Sequence, residues 1–243
     1  MNLIIDQGNT LCKIACIDSS EKMAFYNVYE TLTPELLTEL IDTYKPENGI
    51  LAYVKAFDSE MIEMLELELE HFVNLGSGTA LPIRNGYVTP ETLGFDRLAA
   101  AVGAWSLQPF KPLLIIDMGT AITYDFVSES GVFEGGNIAP GLWTRLKSLN
   151  HFTGKLPLVE PSIHFDLLAR STETAIRSGV MQGILFEING YMESLTRLHP
   201  GLFTFLTGGD RIYFDGKLKN GIFVDANLVL TGLNRILRHN VHS

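Results

Sequence analysis

Cysteine is scarce in this chain of 243 residues: only Cys12 and Cys16 occur, both in one short apolar stretch. Four apart on an extended segment, they share a face without meeting disulfide geometry. No further cysteine or nearby histidine completes a metal set, so they read as small buried hydrophobes in a reducing compartment. Long apolar runs are missing as well. The most apolar, Leu113 to Ile116, is stopped at once by Asp117, and nothing is long enough to cross a bilayer. The first residues, Met1-Asn2-Leu3-Ile4-Ile5-Asp6, carry no basic region, so no secretory signal is expected and a cytoplasmic protein follows. Cations are outnumbered, 18 Lys and Arg against 28 Asp and Glu, for a formal charge of −10. That balance disfavours nucleic acid and anionic membrane as partners, because both need clustered Lys and Arg. A small anionic substrate stays compatible, since a few local cations, backbone amides and a metal can offset the global field.

Several catalytic signatures are absent too. There is no G-x-x-x-x-G-K-S/T, because Thr153-Gly154-Lys155-Leu156 lacks both the leading glycine and the hydroxyl. No G-x-G-x-x-G follows a strand, since Gly76-Ser77-Gly78 is only a fragment. G-x-S-x-G and H-E-x-x-H are missing, and the six histidines are scattered without metal-ligand spacing. Phosphate-loop kinases, classical dinucleotide-binding enzymes and zinc hydrolases are thereby excluded.

What is present is a repeated plan. Leu3-Ile4-Ile5 is a β-type run ending in a turn-forming cluster, Asp6 to Thr10. Return strands follow at Cys12 to Asp18 and Met23 to Tyr29. Pro34 opens a helix with Leu36, Leu37, Leu40 and Ile41 on one face. Gly49 to Val54 reads as a buried strand, Ser59 to Glu70 as an acidic amphipathic helix, and Phe72 to Leu75 as a short strand. Gly76 to Pro90 turns to Gly, Thr, Pro and Asn, which marks a long functional loop before a helix over Glu91 to Trp105. After Gln108-Pro109-Phe110-Lys111-Pro112, a linker, the plan restarts. Leu113 to Ile116 is a strand, Asp117-Met118-Gly119-Thr120-Ala121 a turn, and Ile122 to Val127 and Val132 to Ile138 the next strands. Helices are expected at Leu142–Leu149, Thr172–Leu198, Asp210–Leu218 and Ala226–His239, with a strand at Phe203–Leu206. Strand, Asp-x-Gly-Asn/Thr, strand, met again half a chain later, points to duplication. The expectation is an α/β protein of two mixed-sheet domains facing one another, 1–110 and 111–243.

The chemistry sits at the turns. An aspartate at the end of a buried strand can hold a hydrated cation or position water. The glycine lets the backbone turn closely, and the amides and hydroxyls of Asn9, Thr10 and Thr120 can then face phosphate oxygens. Each turn taken alone is equally a plain β-turn, because Asp-x-Gly is common in hairpins; the pair in register favours function. Lys13 reads either as a cation near phosphate or as a solvated strand-edge lysine. Tyr87-Val88-Thr89-Pro90-Glu91-Thr92-Leu93-Gly94-Phe95-Asp96-Arg97 leads from loop to helix. Phosphoryl transfer to an alcohol needs a carboxylate to take the hydroxyl proton, and a guanidinium can orient an anionic substrate, so Asp96 and Arg97 have the required chemistry. An acidic residue favoured at a helix N-terminus beside a surface arginine explains the same spacing. Gly135 to Gly141 is a Gly/Pro corner that either packs under a ligand or merely turns the chain. Thr207-Gly208-Gly209-Asp210 ends a strand where an anion can meet backbone amides.

In this order the motifs resemble the acetate and sugar kinase, heat-shock and actin superfamily (ASKHA), built from two RNase H-like, actin-like domains around a nucleotide cleft. Within it, D-x-G-N-T-x-x-K (Asp6 to Lys13), Y-x-x-P-x-x-L-G-x-D-R (Tyr87 to Arg97), D-x-G-T-A-x-T (Asp117 to Thr123) and G-G-x-I-x-P-G (Gly135 to Gly141) are similar to type III pantothenate kinases. T-x-x-A-I-x-S-G (Thr172 to Gly179) and T-G-G-D (Thr207 to Asp210) continue the match. The resemblance implies ATP-dependent phosphorylation of pantothenate, the first step of coenzyme A synthesis. It implies that Asp6, Gln7, Gly8, Asn9, Thr10, Leu11, Cys12 and Lys13 form the first ATP-phosphate segment, with Asp6 near Mg²⁺, and that Thr120 touches ATP from the second. Asp117 would bind the monovalent cation, K⁺ or NH₄⁺; Asp96 would accept the proton of the pantothenate hydroxyl. Tyr87, Gly94, Phe95, Asp96, Arg97 and Thr172 would bind pantothenate, and in a homodimer Thr172 would act across the subunit interface. Thr207 to Asp210 would lie near adenosine. Ser171 departs from the pattern where an asparagine often precedes the threonine.

Two other readings stand beside this one. A non-catalytic accessory protein, transcription-factor-like and nucleotide-binding, would keep the scaffold, but it would have no need of Asp96. A kinase for another alcohol, such as a sugar, or a phosphatase acting on a phosphoanhydride, would keep the turns and change the acceptor.

Overall fold

The computed structural model describes residues 1–54, 56–218 and 221–241. Along the chain run β1 (Asn2–Gln7), β2 (Cys12–Ile17), β3 (Met23–Tyr29), α1 (Pro34–Tyr44), β4 (Asn48–Tyr53), α2 (Ser59–Glu68), β5 (His71–Asn74), the two-residue β6 (Arg84–Asn85) and α3 (Phe95–Leu107). Then come β7 (Leu113–Met118), β8 (Ala121–Val127), β9 (Val132–Pro140), α4 (Leu142–Phe152), α5 (Thr172–Leu198), β10 (Phe203–Thr207), β11 (Ile222–Val224) and α6 (Leu228–Val241). The chain divides into two compact units: Met1–Leu107 joined by the C-terminal segment from Asn227, and Gln108–Ala226. Among the described residues no helix is long and apolar enough to cross a membrane.

Both units use one plan. In the first, the strand order is β3-β2-β1-β4-β5, with β1–β2 and β2–β3 antiparallel and β4 and β5 added parallel on the other side of β1. The second unit's own strands run β11-β10-β7-β8-β9, again three antiparallel strands with two parallel additions beside the first of them. The duplication read from the two aspartate turns is therefore a duplication of topology. Asp6 and Asp117 occupy the same place, the penultimate residue of the central strand; Lys13 and Ala52 flank the first, Thr123 and Thr207 the second.

Alternation along β1 decides what each face carries. Leu3 and Ile5, with Cys12, Ile14 and Cys16 of β2, meet Leu37, Leu40 and Ile41 of α1 and Met61 and Leu65 of α2 in one apolar core. The two cysteines are free and buried there, and burial pushes both thiols up to about 12, so they stay protonated. Asn2, Ile4 and Asp6 point to the opposite face. Asn2 donates to Asn234 of α6 at 2.8 Å and accepts from Asn48 of β4 at 3.0 Å, which identifies that face as the one α6 covers. Helix α1 starts where Thr33 caps the Leu36 amide and Pro34 supplies the first-turn geometry, and it ends at Lys45 in a left-handed conformation.

Three expectations are corrected. The closing helix, placed by sequence in 111–243, packs instead on α3, β1 and β4 of the first unit. The helix expected at Asp210–Leu218 is a single 3-10 stretch, Gly209–Tyr213, because Gly216 takes a positive φ of 72° and no apolar face repeats there. The helix expected from Glu91 starts at Phe95, after a separate 3-10 turn at Pro90–Thr92.

Helices α3 and α6 cross at backbone contact. A Cβ on Gly232 would overlap the Ala99 carbonyl and stand 2.9 Å from the Gly103 nitrogen, and one on Gly103 would overlap the Leu228 carbonyl. Gly232→Ala must push the helices apart, at a cost of about 2 kcal/mol. Urea unfolding should show a lower midpoint with an unchanged slope; a midpoint equal to the parent's would mean that the crossing is looser than described.

Candidate active site

The β1–β2 turn is closed by the Gly8 amide donating to the Leu11 carbonyl at 3.0 Å, which leaves Asn9, Thr10 and Leu11 exposed at its tip. Gln7 sits at its shoulder, accepting from the Val54 amide at 3.1 Å. Directly behind the tip lies Asp6, 7% exposed, with its register partner Lys13 holding an ammonium 3.9 Å from Asp6 Oδ2. The carboxyl is pushed up from an ordinary 3.8 to about 6. Burial is the largest cause; the Lys13 charge opposes it, and the charge of Asp96 adds to it. That last influence places Asp96 within electrostatic reach of Asp6, so the structure brings together two carboxylates far apart in sequence. Cys12 is packed into the core and offers no side chain to a ligand; within the Asp6–Lys13 segment it is the strand around it that faces the turn.

Asp96 arrives there because α3 begins at Phe95. Its carboxylate accepts from the Arg97 amide at 2.8 Å, as an acidic residue in a helix first turn does. Gly94 precedes it closely: a Cβ there would stand 2.5 Å from Asp96 Oδ1. Arg97 is not the surface arginine of the bland reading. It is 7% exposed, with its guanidinium 5.5 Å from the centre of the Tyr87 ring. Tyr87 is held in turn by its amide, which donates to Asn85 Oδ1 at 3.0 Å. Tyr87, Gly94, Asp96 and Arg97 thus form one constellation with Asp6 and Lys13, all in the first unit. Phe95 belongs to it by sequence position. It lines a cavity of about 220 Å³ with Leu75, Leu81, Ile83 and Leu98.

The second unit holds a matching strand end. The β7–β8 turn is closed by the Gly119 amide on the Ala121 carbonyl at 2.9 Å. Asp117 stands beside it, flanked by Thr123 and by Thr207, which is 1% exposed. Gly208 follows with φ at 89°, and any side chain there would collide with Asp117 Oδ1 and the Met118 backbone, so only glycine serves. The Thr207–Asp210 turn is therefore pressed onto the Asp117 turn. Asp210 is also pushed up to about 6 by burial, and Arg211 donates to the Gly208 carbonyl at 2.8 Å. The Gly135–Gly141 corner joins the same cluster. The Gly141 amide donates to the Thr120 carbonyl at 3.0 Å, and a Cβ there would overlap the Gly119 and Thr120 carbonyls. Thr144, which sequence reasoning missed, adds its hydroxyl to the Thr120 carbonyl at 2.7 Å. Its only sequence signal is a hydroxyl in the first turn of the helix after the corner.

Thr172 joins neither cluster. It heads α5 in an exposed first turn, behind Ser171, which with Thr174 forms a reciprocal capping box. Serine at that position is thus a helix cap in its own right.

The donor set fits phosphate and cations. Turn amides and Lys13 suit phosphate oxygens, and the buried Asp6 carboxylate, with hard oxygens, suits a magnesium ion. No cluster of three or more His, Cys, Asp and Glu occurs among the described residues, so a transition-metal centre has no such support.

Known proteins are similar to this chain over nearly its whole length. The profile of the type III pantothenate kinase family matches residues 2–194. A type III pantothenate kinase of Bacteroides fragilis is 46% identical over 241 residues, covering 99% of this chain and 98% of that one. One from Porphyromonas gingivalis is 41% identical over 245 residues, covering 99% of each. Among solved structures, a Campylobacter jejuni protein described as a Baf family transcriptional activator superposes with a TM-score of 0.66 at 20% identity, covering 99% of this chain and 100% of that one. A glucokinase from an Antarctic psychrotroph does so at 0.53 and 13%, covering 98% of each chain. These two share the α/β fold of two mixed sheets. On the family profile and the full-length relatives together, this chain belongs to the type III pantothenate kinase family.

Proposed function

We propose that this chain transfers the γ-phosphoryl group of ATP to the primary hydroxyl of pantothenate, giving 4′-phosphopantothenate and ADP at the entry to coenzyme A synthesis. The observation that carries the reading is the grouping of Asp96, Asp6 and Lys13 at the end of β1, in a member of this family. Phosphoryl transfer asks the protein for positioning and charge compensation more than for covalent chemistry. Asp96 takes the hydroxyl proton as the alcohol oxygen bonds to the γ-phosphorus, and the bond from that phosphorus to the β–γ bridging oxygen breaks, its electron pair leaving with ADP. The backbone of Gln7 to Leu11 and the Lys13 ammonium receive phosphate oxygens, and Thr120 does so from the second turn. Arg97, held on Tyr87, offers a fork to the pantothenate carboxylate, with Gly94 and Phe95 shaping the approach.

Asp6 is suited to hold the magnesium that accompanies ATP, which would neutralise phosphate charge and favour the ionised carboxylate. Asp117 is suited to a monovalent cation, K⁺ or NH₄⁺. Homodimerisation is supported by α5. Ala175, Gly179, Phe186 and Gly190 fall at helical spacing on its exposed side, Leu167 and Leu168 in the segment leading into it are 70% and 84% exposed, and a second α5 can approach small residues closely. A partner copy would then supply Thr172 to pantothenate.

Asp96→Asn should bind ATP and fold normally while kcat falls by about a thousandfold. ADP release measured with pantothenate, with and without K⁺, checks both this and the cation. Near-full turnover in the variant removes Asp96 as the base, and a rate indifferent to K⁺ removes the monovalent site.

Ionisation of Asp6 gives a second expectation. Its carboxyl titrates near 6 in the fold and near 3.8 when unfolded, so the folded state binds the proton more tightly. The stability tied to that proton is complete below about pH 4 and is lost as pH rises through 6, a change of about 3 kcal/mol. Asp210 acts with the same sign in the same window. Asp6→Asn should therefore melt roughly 5 °C above the parent at pH 7.5, without ligands, and level with it at pH 4. Equal melting temperatures at both pH values would contradict the buried carboxylate. For the assembly, Phe186→Asp should turn a dimer into a monomer in light scattering; a parent that is itself monomeric refutes the interface.

A further inference from the structure

A partly buried polar network in the second unit reaches the Thr120 turn from behind, and nothing in the motifs accounts for it. Glu187 of α5 uses both carboxylate oxygens: Oε1 accepts from the hydroxyl of Tyr124 on β8 at 2.8 Å, and Oε2 accepts from Arg145 Nη2 at 2.8 Å. Tyr124 is 2% exposed and stacks on Tyr191 of α5 at 4.1 Å between ring centres. Arg145, on α4, spends its Nε on the Pro140 carbonyl at 2.7 Å. Pro140 is the last residue of β9, and the next residue, Gly141, is the one whose amide and bare Cα seat the Thr120 peptide.

We infer that Thr144, Arg145 and Glu187 are positioning residues for the ATP-phosphate turn at Thr120, an inference that rests on the proposed kinase reading. The Thr120 carbonyl takes two donors from the α4 side, the Gly141 amide and the Thr144 hydroxyl. A trans peptide directs its N–H opposite to its C=O, so pinning that carbonyl turns the Ala121 N–H to the other side of the turn. An amide held in that way costs no reorganisation when a phosphate oxygen arrives. Arg145 fixes the corner from which both donors act: a planar guanidinium can bind a carbonyl through Nε and a carboxylate through Nη2 at once, and an ammonium cannot. Glu187 anchors it to α5. None of the three needs to touch nucleotide.

Thr144 gives the cleanest test, because it is exposed and Thr144→Val keeps its shape. Three quantities should be read for the parent, Thr144→Val, Thr144→Ser, Arg145→Met and Glu187→Gln: KM for ATP, KM for pantothenate, and the melting temperature with and without ATP and magnesium. Thr144→Val is expected to raise KM for ATP about fivefold, the scale of one hydrogen bond, with KM for pantothenate within about twofold and the ligand-free melting temperature unchanged. Thr144→Ser should restore the parent value. Arg145→Met and Glu187→Gln should raise KM for ATP in the same selective way and shrink the ATP-induced rise in melting temperature. If Arg145→Met fails to fold, Thr144→Val decides. Parent-like KM for ATP in Thr144→Val, or both KM values rising together, overturns the inference while the kinase reading stands. A parent protein that ATP does not stabilise overturns the kinase reading and this inference with it.

Discussion

Everything at the candidate site depends on holding a carboxylate out of water at the end of β1. Asp6 has a near cation, Lys13 at 3.9 Å, and a second carboxylate, Asp96, whose charge opposes its ionisation. In a ligand-free protein that arrangement is unfavourable, because desolvation and like charge both disfavour the ionised form. On the proposed reading it would become favourable once a divalent cation and a polyphosphate arrive as a neutralising pair. Perturbed carboxylates of this kind collect where charge is to be handled, and here the perturbation falls on the residue directly behind the β1–β2 turn.

The same constraint explains why the α3–α6 packing has to be tight. Asp96 is delivered by the first turn of α3, so its reach toward Asp6 depends on how α3 lies against its own unit. α6 fixes this through backbone contact at Ala99, Gly103, Leu228 and Gly232, and through Asn2 and Asn234 to β1 itself. A helix drawn from the far end of the chain thereby braces the helix that carries the proposed base. An interface built on glycine and alanine admits little sliding, since side chains that could repack are absent from its centre.

Much of this was legible in the sequence because it is local. Strand alternation, the Asp-x-Gly turns and their recurrence gave both sheets, and Thr172 to Leu198 was read as one helix, the span that α5 has. The destination of α6 was not legible. Its periodicity shows that one face is buried, but amphipathicity carries no address, and Gly232 looks like any helical glycine until Ala99 is placed against it. The 3-10 stretch at Gly209–Tyr213 and the three-residue β11 were too short for any period to register. At the site, Asp6, Lys13, Asp96 and Arg97 were readable as chemistry, whereas the burial of Arg97 on Tyr87 was not, since a charge beside a helix start is usually solvated. Arg145 and Glu187 were silent because they meet across 42 residues, Thr144 because its partner is a backbone carbonyl 24 residues earlier, and none of the three matches a motif.

A formal charge of −10 is an awkward starting point for a protein proposed to bind ATP and a carboxylate substrate, and the way round it is local. Much of the acidity lies on exposed positions such as the polar face of α2, where solvent and salt screen it beyond about 10 Å. Within the first cluster the balance differs: Lys13 and Arg97 stand against Asp6 and Asp96, and Asp6 releases much of its charge to a proton near pH 6. Backbone amides at the turns add partial positive charge that no residue count records. The protein therefore meets anions with groups whose fields act over a few ångströms, and its net charge governs only the long-range approach. On this argument affinity for ATP should hinge on the geometry of the two turns far more than on surface charge, which is why a hydroxyl on the far side of one of them becomes the informative place to cut.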